Sequence, residues 1–538
     1  IFPAIKKTTQ NIQVYFIFFI LIITFLNSII YTPNTLDAMT YHMTKVMHWI
    51  QYEKITFYPT NDLRELILAP LTEYAILHLY LIVGGDYLSN LVQWYSMFIS
   101  CIVVSLIAKE LNCNLKYQIF SALFCATLPM GILQSSSTQT DYVTTMWLTI
   151  MVYFILKYIK ENHIIYFLCF SISLGLGILT KGTFYFFAFP FCIWFGLILL
   201  FKSKTKFLLI FTIPLIVLII NSGHFYRNIS LYGNPLGLSE ENFKWNNEVL
   251  NIKSFSSNTI KNLSLNLSLP NKEINKLTSL LVHKVHEHIG ISPGDSRTST
   301  GGRGFYIPFS FYESTSPNTL HFLMILLLIF YLNLKNEKNN NMKYYLLSVI
   351  SGFLLFSFLV KWMPQGNRIL LSSFVLMSPF VSSILSKSKL NKFTFIFSIT
   401  IFLYAVPYLL FNKSRPLLSK LSFDENNINF YTPDFITLDR NELYYIADKF
   451  YNYRDLYDIH LNIVDKIKKS DCRVIGLDDY PSSNLDYPFW SILKKTMGNN
   501  EFYIHNVNIV NKSIIYSDNK QLEKICSIVD VDGVKFLN

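Results

Sequence analysis

This 538-residue chain is short of charged side chains. They make up 15% of it, against about a quarter in a soluble domain. By contrast 51% of the residues are hydrophobic and the mean hydropathy is +0.32. That excludes an ordinary water-soluble globule and fits an integral membrane protein. Cysteine is sparse as well, seven in all, with no CxxC pair and no zinc spacing. Cys101, Cys125, Cys169 and Cys192 lie in apolar runs and read as inert packing residues. Cys472 and Cys526 fall in a polar C-terminal region, where they can pair if that region lies outside the cytoplasm. No internal repeat of fixed period stands out. The first apolar run lacks a small-residue cleavage site and reads as an anchor, not a removed signal. The chain opens IFPAIKK without Met, which leaves room for a preceding stretch.

What is abundant is aromatic: 46 Phe and 34 Tyr, suited to a helical bundle with aromatic belts. Runs long enough to cross about 30 Å of hydrocarbon fall near 12–30, 87–108, 117–134, 142–158, 163–180, 183–201, 207–222, 319–333, 344–362, 369–386 and 393–411, eleven in all. A twelfth stretch, 66–83, is interrupted by Pro70, Glu73 and His78. If it lies along the membrane, fifteen lysines in the short tracts from Lys6 and Lys7 through Lys387, Lys389 and Lys392 all face the cytoplasm. If it spans, thirteen of them move outside. The positive-inside bias selects the first arrangement. The net charge of +11 is thus a topology signal, not a nucleic-acid surface. Loop 223–318 and tail 412–538 then lie outside, in the same compartment as Asp37 and Asp141. The tail reads as a small α/β domain on a transmembrane domain of residues 1–411, with CRVIGLDDYP and NKSIIYSD (511–518) as short strands.

Directly after the first span comes YTPNTLDAMTYHMTKVMHWIQ, residues 31–51. Met39, Met43, Val46, Met47 and Ile50 share one helical face. Tyr41, Thr44, Lys45, His48 and Gln51 share the other. This predicts a helix lying in the interface, apolar side to lipid and polar side to water. Asp37 precedes it, either as an N-cap or as an acid held at the lipid boundary for chemistry. Three more polar clusters share its side of the membrane. SSSTQTDYVTTMW (135–147) carries Asp141, which also suits a helix macrodipole. HFYRNISLYGNPLG (224–237) carries Arg227 and KWMPQGNRILL (361–371) carries Arg368, both also readable as snorkelling anchors. Glu73 and His42 are further candidates for substrate contact. His283, His286 and His288 in HKVHEHIG have no standard metal spacing. Two acids and two arginines on one side can accept an anionic headgroup and deprotonate a hydroxyl. A polyprenyl-phosphate sugar has the matching shape, with its tail in lipid, phosphate at the interface and sugar in water.

The order of these parts resembles the integral-membrane glycosyltransferases of the GT-C fold. It is most similar to the bacterial branch of protein mannosyltransferase-like and aminoarabinose transferase-like enzymes. PNTLDAMTYH resembles that family's first-loop acid, and APLTEYAILHLYLIVGGD its second juxtamembrane helix. TQTDYVTT resembles its second acid, and GLGILTKGTF, YRNISLYGNPL and WMPQGNRILLSSFVLMSP look like further stretches of it. The resemblance covers most of residues 10–411 through order and spacing; no single motif is specific. It implies an all-α polytopic fold with juxtamembrane helices in the first loop, a bacterial inner membrane, and a site on the extracytoplasmic side. It implies a polyprenyl-phosphate-sugar donor, with a glycan, lipid or protein as acceptor. It further implies inverting transfer, metal-independent or weakly metal-assisted, with Asp37 as base and Lys181 as a further phosphate contact. Many relatives carry paired acids in the first loop. Here Ala38 follows Asp37, so one carboxylate acts alone or Asp141 or Glu73 supplies the partner, and a bound divalent cation is less well supported. Two other readings share this chemistry: a lipid-linked sugar flippase, which would show broken mid-span helices and similar halves, and an oligosaccharide polymerase or ligase.

Overall fold

The computed structural model describes residues 2–202, 204–237, 244–300, 304–333, 340–417, 420–423, 428–431, 439–446, 453–478, 486–498, 501–530 and 533–537. The first span is α1 (Phe2–Ile30). A single π-helical turn (Ala38–His42) leads into α2 (Met43–Gln51), followed by α3 (Arg64–Ile67) and α4 (Leu71–Val83). The bundle continues with α5 (Leu91–Glu110), α6 (Leu115–Ala126), α7 (Pro129–Ser135), α8 (Asp141–Glu161), α9 (Ile164–Ile178), α10 (Phe184–Lys202) and α11 (Lys204–Tyr232). A loop layer holds α12 (Ile252–Ser264) and α13 (Lys272–Ile289). Then come α14 (Thr319–Asn333), α15 (Asn340–Leu359), α16 (Gly366–Ile369), α17 (Leu371–Lys387) and α18 (Thr394–Leu410).

Every predicted run carries helix. Among the described residues, seven helices are long and apolar enough to cross a bilayer, α6 and α7 form an eighth as a bent pair, and α9, α14 and α17 are shorter apolar helices. The 67° bend between α6 and α7 has a local cause. Pro129 opens α7, so Leu128 before it is pushed to extended backbone. The interrupted stretch 66–83 is two separate elements, α3 and α4. The last span of the first group, α11, runs on to Tyr232, so its loop starts past that residue and not at 223.

The structure corrects the reading of 38–51. Its apolar face, expected to lie on lipid, is instead buried inside the protein, and so are Thr44, Lys45 and His48 on the polar face. The cover is the C-terminal domain, built from α19 (Tyr453–Lys469), α20 (Asp486–Met497), α21 (Asn519–Leu522), a hairpin of β1 (Lys420–Phe423) and β2 (Ile428–Tyr431), and four further strands. Those are β3 (Val474–Leu477), β4 (Tyr503–Asn506), β5 (Ser527–Asp530) and β6 (Gly533–Phe536), in spatial order β4-β3-β5-β6, with β3 parallel to both neighbours and β6 antiparallel to β5. Trp490 of α20 meets His48 edge-on at 5.1 Å. Gln51 behaves as one more partner for the edge strand, its Nε2 donating to Ile504 O (2.9 Å) and its Oε1 accepting from Ile504 N (2.8 Å). Met39, Met43, Val46 and Met47 share one hydrophobic cluster with Ile463, Ile475, Trp490 and Leu493. Helix and tail therefore form one core. Cys472 and Cys526 are disulfide-bonded, with Cα atoms 5.7 Å apart, linking the entries to β3 and β5. The stretch 511–518, expected as a strand, is instead a 3-10 turn (Lys512–Tyr516) capped by Asn511.

Candidate active site

Neither acid is spent on its helix. Thr35 caps the first turn after α1, its Oγ1 accepting from Ala38 N at 3.2 Å, while the Asp37 side chain makes no capping bond. Gln93 of α5 caps α8, its Oε1 accepting from Tyr142 N at 2.6 Å. Both carboxylates converge on one guanidinium. Arg368 Nη1 donates to Asp37 Oδ2 at 2.7 Å, and Arg368 Nε lies 3.4 Å from Asp141 Oδ2. Lys181 Nζ donates to Asp141 Oδ1 at 2.6 Å. The result is a chain of alternating charge, Asp37–Arg368–Asp141–Lys181, drawn from four distant parts of the sequence.

Local sequence explains how each member is held. Arg368 sits on the single turn α16, fixed by its neighbour Asn367, whose side chain accepts from Asn266 (2.7 Å) and donates to Ser316 O (3.3 Å). Lys181 follows two glycines that permit close packing. A Cβ on Gly175 would stand 2.7 Å from Ile220, and one on Gly177 2.2 Å from Phe184. Asp37 stands immediately before the π-helical turn, a rare geometry frequent at functional sites.

Burial pushes the Asp37 carboxyl up, but Arg368, His42 and Arg64 outweigh it and hold it down at about 2. Arg368 stays protonated; burial opposes its charge and the two carboxylates overcome that opposition. Burial moves Lys181 down, with Asp141 opposing. Side-chain exposure separates the roles: Asp37, Arg368 and Lys181 remain 18%, 17% and 21% open, Asp141 only 4%. Arg368 Nε and Asp141 Oδ2 also have no hydrogen-bond partner among the described residues. A divalent cation does not fit these four groups as they stand, because Lys181 bonds Asp141 Oδ1 and the Arg368 guanidinium stands 3.4 Å from Oδ2 and bonds Asp37. Among the described residues no three His, Cys, Asp or Glu side chains gather as a metal site would require.

The other candidates lie elsewhere. His42 Nδ1 and Lys45 Nζ both contact Glu73 Oε1, at 2.9 and 3.2 Å. This second cluster is fully buried and ties the π-helical turn to α4. Burial alone would raise the Glu73 carboxyl; Lys45 and His42 bring it to about 2. Glu73 is therefore not the partner acid of Asp37, and His42 reaches the site only through its field on Asp37. Arg227 donates to Tyr74 OH (2.8 Å) and lies over the Phe57 ring (5.8 Å), with no ion pair to either acid among the described residues. The histidine tract is dispersed around α13, with His286 bound to Val282 O and Ser257 and His283 against Phe305. Sequence reasoning missed Arg64, whose guanidinium lies 4.6 Å from the Tyr41 ring. It also left Lys45 out of the site, although its spacing of three from His42 puts both on one helical face.

The backbone arrangement has a counterpart among solved structures. The structure of ArnT from Cupriavidus metallidurans bound to undecaprenyl phosphate superposes with a TM-score of 0.55 at 12% identity, covering 96% of this chain and 89% of that one. This chain has the GT-C fold. Residues 68–224, from the approach to α4 into the last third of α11, match the dolichyl-phosphate-mannose-protein mannosyltransferase family. That stretch carries Glu73, Asp141 and Lys181. The Archaeoglobus fulgidus oligosaccharyltransferase tethered to an acceptor peptide overlaps less well, with a TM-score of 0.47 at 11% identity over 96% of this chain and 69% of that one. No curated protein matches the GT-C chain by sequence.

Proposed function

We propose that this protein is a membrane glycosyltransferase that moves a sugar from a polyprenyl-phosphate-linked donor to an acceptor hydroxyl on the extracytoplasmic side. The observation that carries the proposal is the pair of carboxylates on Arg368, beside Lys181, at the end of the span bundle. The donor's phosphate is an anion that competes with Asp37 for Arg368. As the guanidinium turns toward it, Asp37 loses its strongest cationic partner, and its basicity rises where an acceptor hydroxyl needs a base. Asp37 then takes the acceptor proton and the acceptor oxygen forms the new bond to the anomeric carbon. The bond from that carbon to the phosphate oxygen breaks, and its electron pair leaves on the prenyl phosphate. Arg368 and Lys181 stabilise that charge. Asp141, closed to solvent and bound to both cations, positions them. Attack opposite the leaving phosphate inverts the anomeric centre. Kinship of residues 68–224 with a family named for a lipid-phosphate sugar donor, and the fold shared with a protein solved with undecaprenyl phosphate, support the donor class. The sidedness rests on the lysine distribution. The test is a screen of radiolabelled polyprenyl-phosphate sugars against the purified protein and its Asp37→Asn variant. Transfer that the variant abolishes while it still folds and inserts in the membrane is the expected result. Full activity in the variant removes Asp37 as base.

A further inference from the structure

A groove in the loop layer is lined by none of the four charged residues of the site. It encloses about 610 Å³ between α13 and the segment 306–309, within the range of small-ligand sites. One wall carries Lys272, Lys276 and His283; the other carries Tyr306, Ile307 and Phe309. No ion pair engages Lys272 or Lys276 among the described residues. The floor, Leu269 and Pro270, sits at the head of a span, because Ser268 O accepts from Thr319 Oγ1 at 2.6 Å where α14 begins. Below that point α14 exposes Leu323, Leu326, Leu327 and Phe330, the surface of a helix facing hydrocarbon. The far side of α13 exposes Ile274, Leu277, Leu281 and Val285. That stripe at helical spacing belongs to a helix lying in the boundary zone, apolar face down. The groove on its opposite side is then at headgroup depth.

We propose that this groove binds an anionic glycerophospholipid of the surrounding membrane, with the phosphate against Lys272 and Lys276 and an acyl chain running down α14. The cationic wall complements the phosphate. The apolar wall and floor receive the glycerol and first methylenes, and the floor lies beside the first residue of a span. This site is independent of the acids and of the reaction assigned to them.

The full chain is reconstituted in phosphatidylcholine vesicles containing phosphatidylglycerol, then extracted, and retained lipid is counted by native mass spectrometry. Wild type retains phosphatidylglycerol over phosphatidylcholine. The variant Lys272→Gln/Lys276→Gln loses that retention on the order of tenfold, the contribution of two basic contacts to an anionic lipid. Lys284→Gln, a charge change of the same kind on another face of α13, retains it. Equal retention in the double variant, or equal loss in Lys284→Gln, overturns the proposal. So does displacement of the lipid by excess inorganic phosphate, which would mark a site for free anion. Thermal unfolding of all three proteins separates lost binding from lost fold.

Discussion

Replacing Arg368 by Gln removes the group that both acids share, and its effect can be worked from the geometry. In the resting protein the Asp37 carboxyl is held from its ordinary 3.8 to about 2. At 1.36 kcal/mol per unit that is about 2 kcal/mol in favour of the charged form, net of burial. Arg368 is the largest of the cationic contributions and burial pushes the other way, so without it the Asp37 pKa rises. The kcat/KM profile for the lipid donor reports groups of the free enzyme. Wild type should be flat on the acid side down to the limit of its stability. Arg368→Gln should show an acid limb moved to higher pH than in wild type, with the rate falling as Asp37 takes up a proton. The plateau should itself drop about ten- to hundredfold, the loss of a charge-assisted bond of roughly 1.5–3 kcal/mol to the donor phosphate. An unchanged profile together with an unchanged KM would refute the reasoning and leave Arg368 as a structural tie.

Three further outcomes are expected. Arg415 is fully buried, 3.4 Å from Glu313, and reaches Asn34, Ser136 and Leu133 O; Arg415→Ala should cost about 3–5 kcal/mol, read as a lowered denaturation midpoint in detergent. Asp37 and Glu73 both have folded-state pKa values depressed to about 2, from 3.8 and 4.5. Each therefore contributes stability that is complete above pH 4.5 and lost as pH falls toward 2, roughly 2–3 kcal/mol apiece. Thermal midpoints should fall across that window, and less steeply in Asp37→Asn/Glu73→Gln. Serine at Cys472 and Cys526 opens a link between residues 54 apart and should lower the stability of the C-terminal domain by about 4 kcal/mol; coincident unfolding curves for mutant and wild type would count against that loop-entropy estimate.

The spans were legible because a run of apolar side chains carries its own signal, and the two acids because a charge beside such a run is expensive unless used. Their meeting on Arg368 was not legible, since that residue lies 331 positions from Asp37 and no local pattern encodes the approach. The polar stripe of α2 was misread for a physical reason: Lys45 and His48 look alike in sequence whether water or another domain's polar and aromatic groups cover them. The pairing of Glu73 with His42 and Lys45 was not legible, because Lys45 reads as a solvent-facing member of the polar stripe. In the tail, β3 was legible within CRVIGLDDYP, while β4 to β6, of four residues each, are too short for alternation to register. The β-branched pair Ile514–Ile515 imitated a strand where Asn511 and Ser513, the latter bonded to Thr60, impose a turn.

Because Trp490, Ile504 and their neighbours roof the helix that follows Asp37, the tail is not an accessory that can be traded freely. A chimera carrying another transferase's final segment would inherit a differently shaped ceiling over α2. Its turnover should shift even with all four charged residues of the site retained. The last strands of the chain would thus be under the same selection as the acid they never touch.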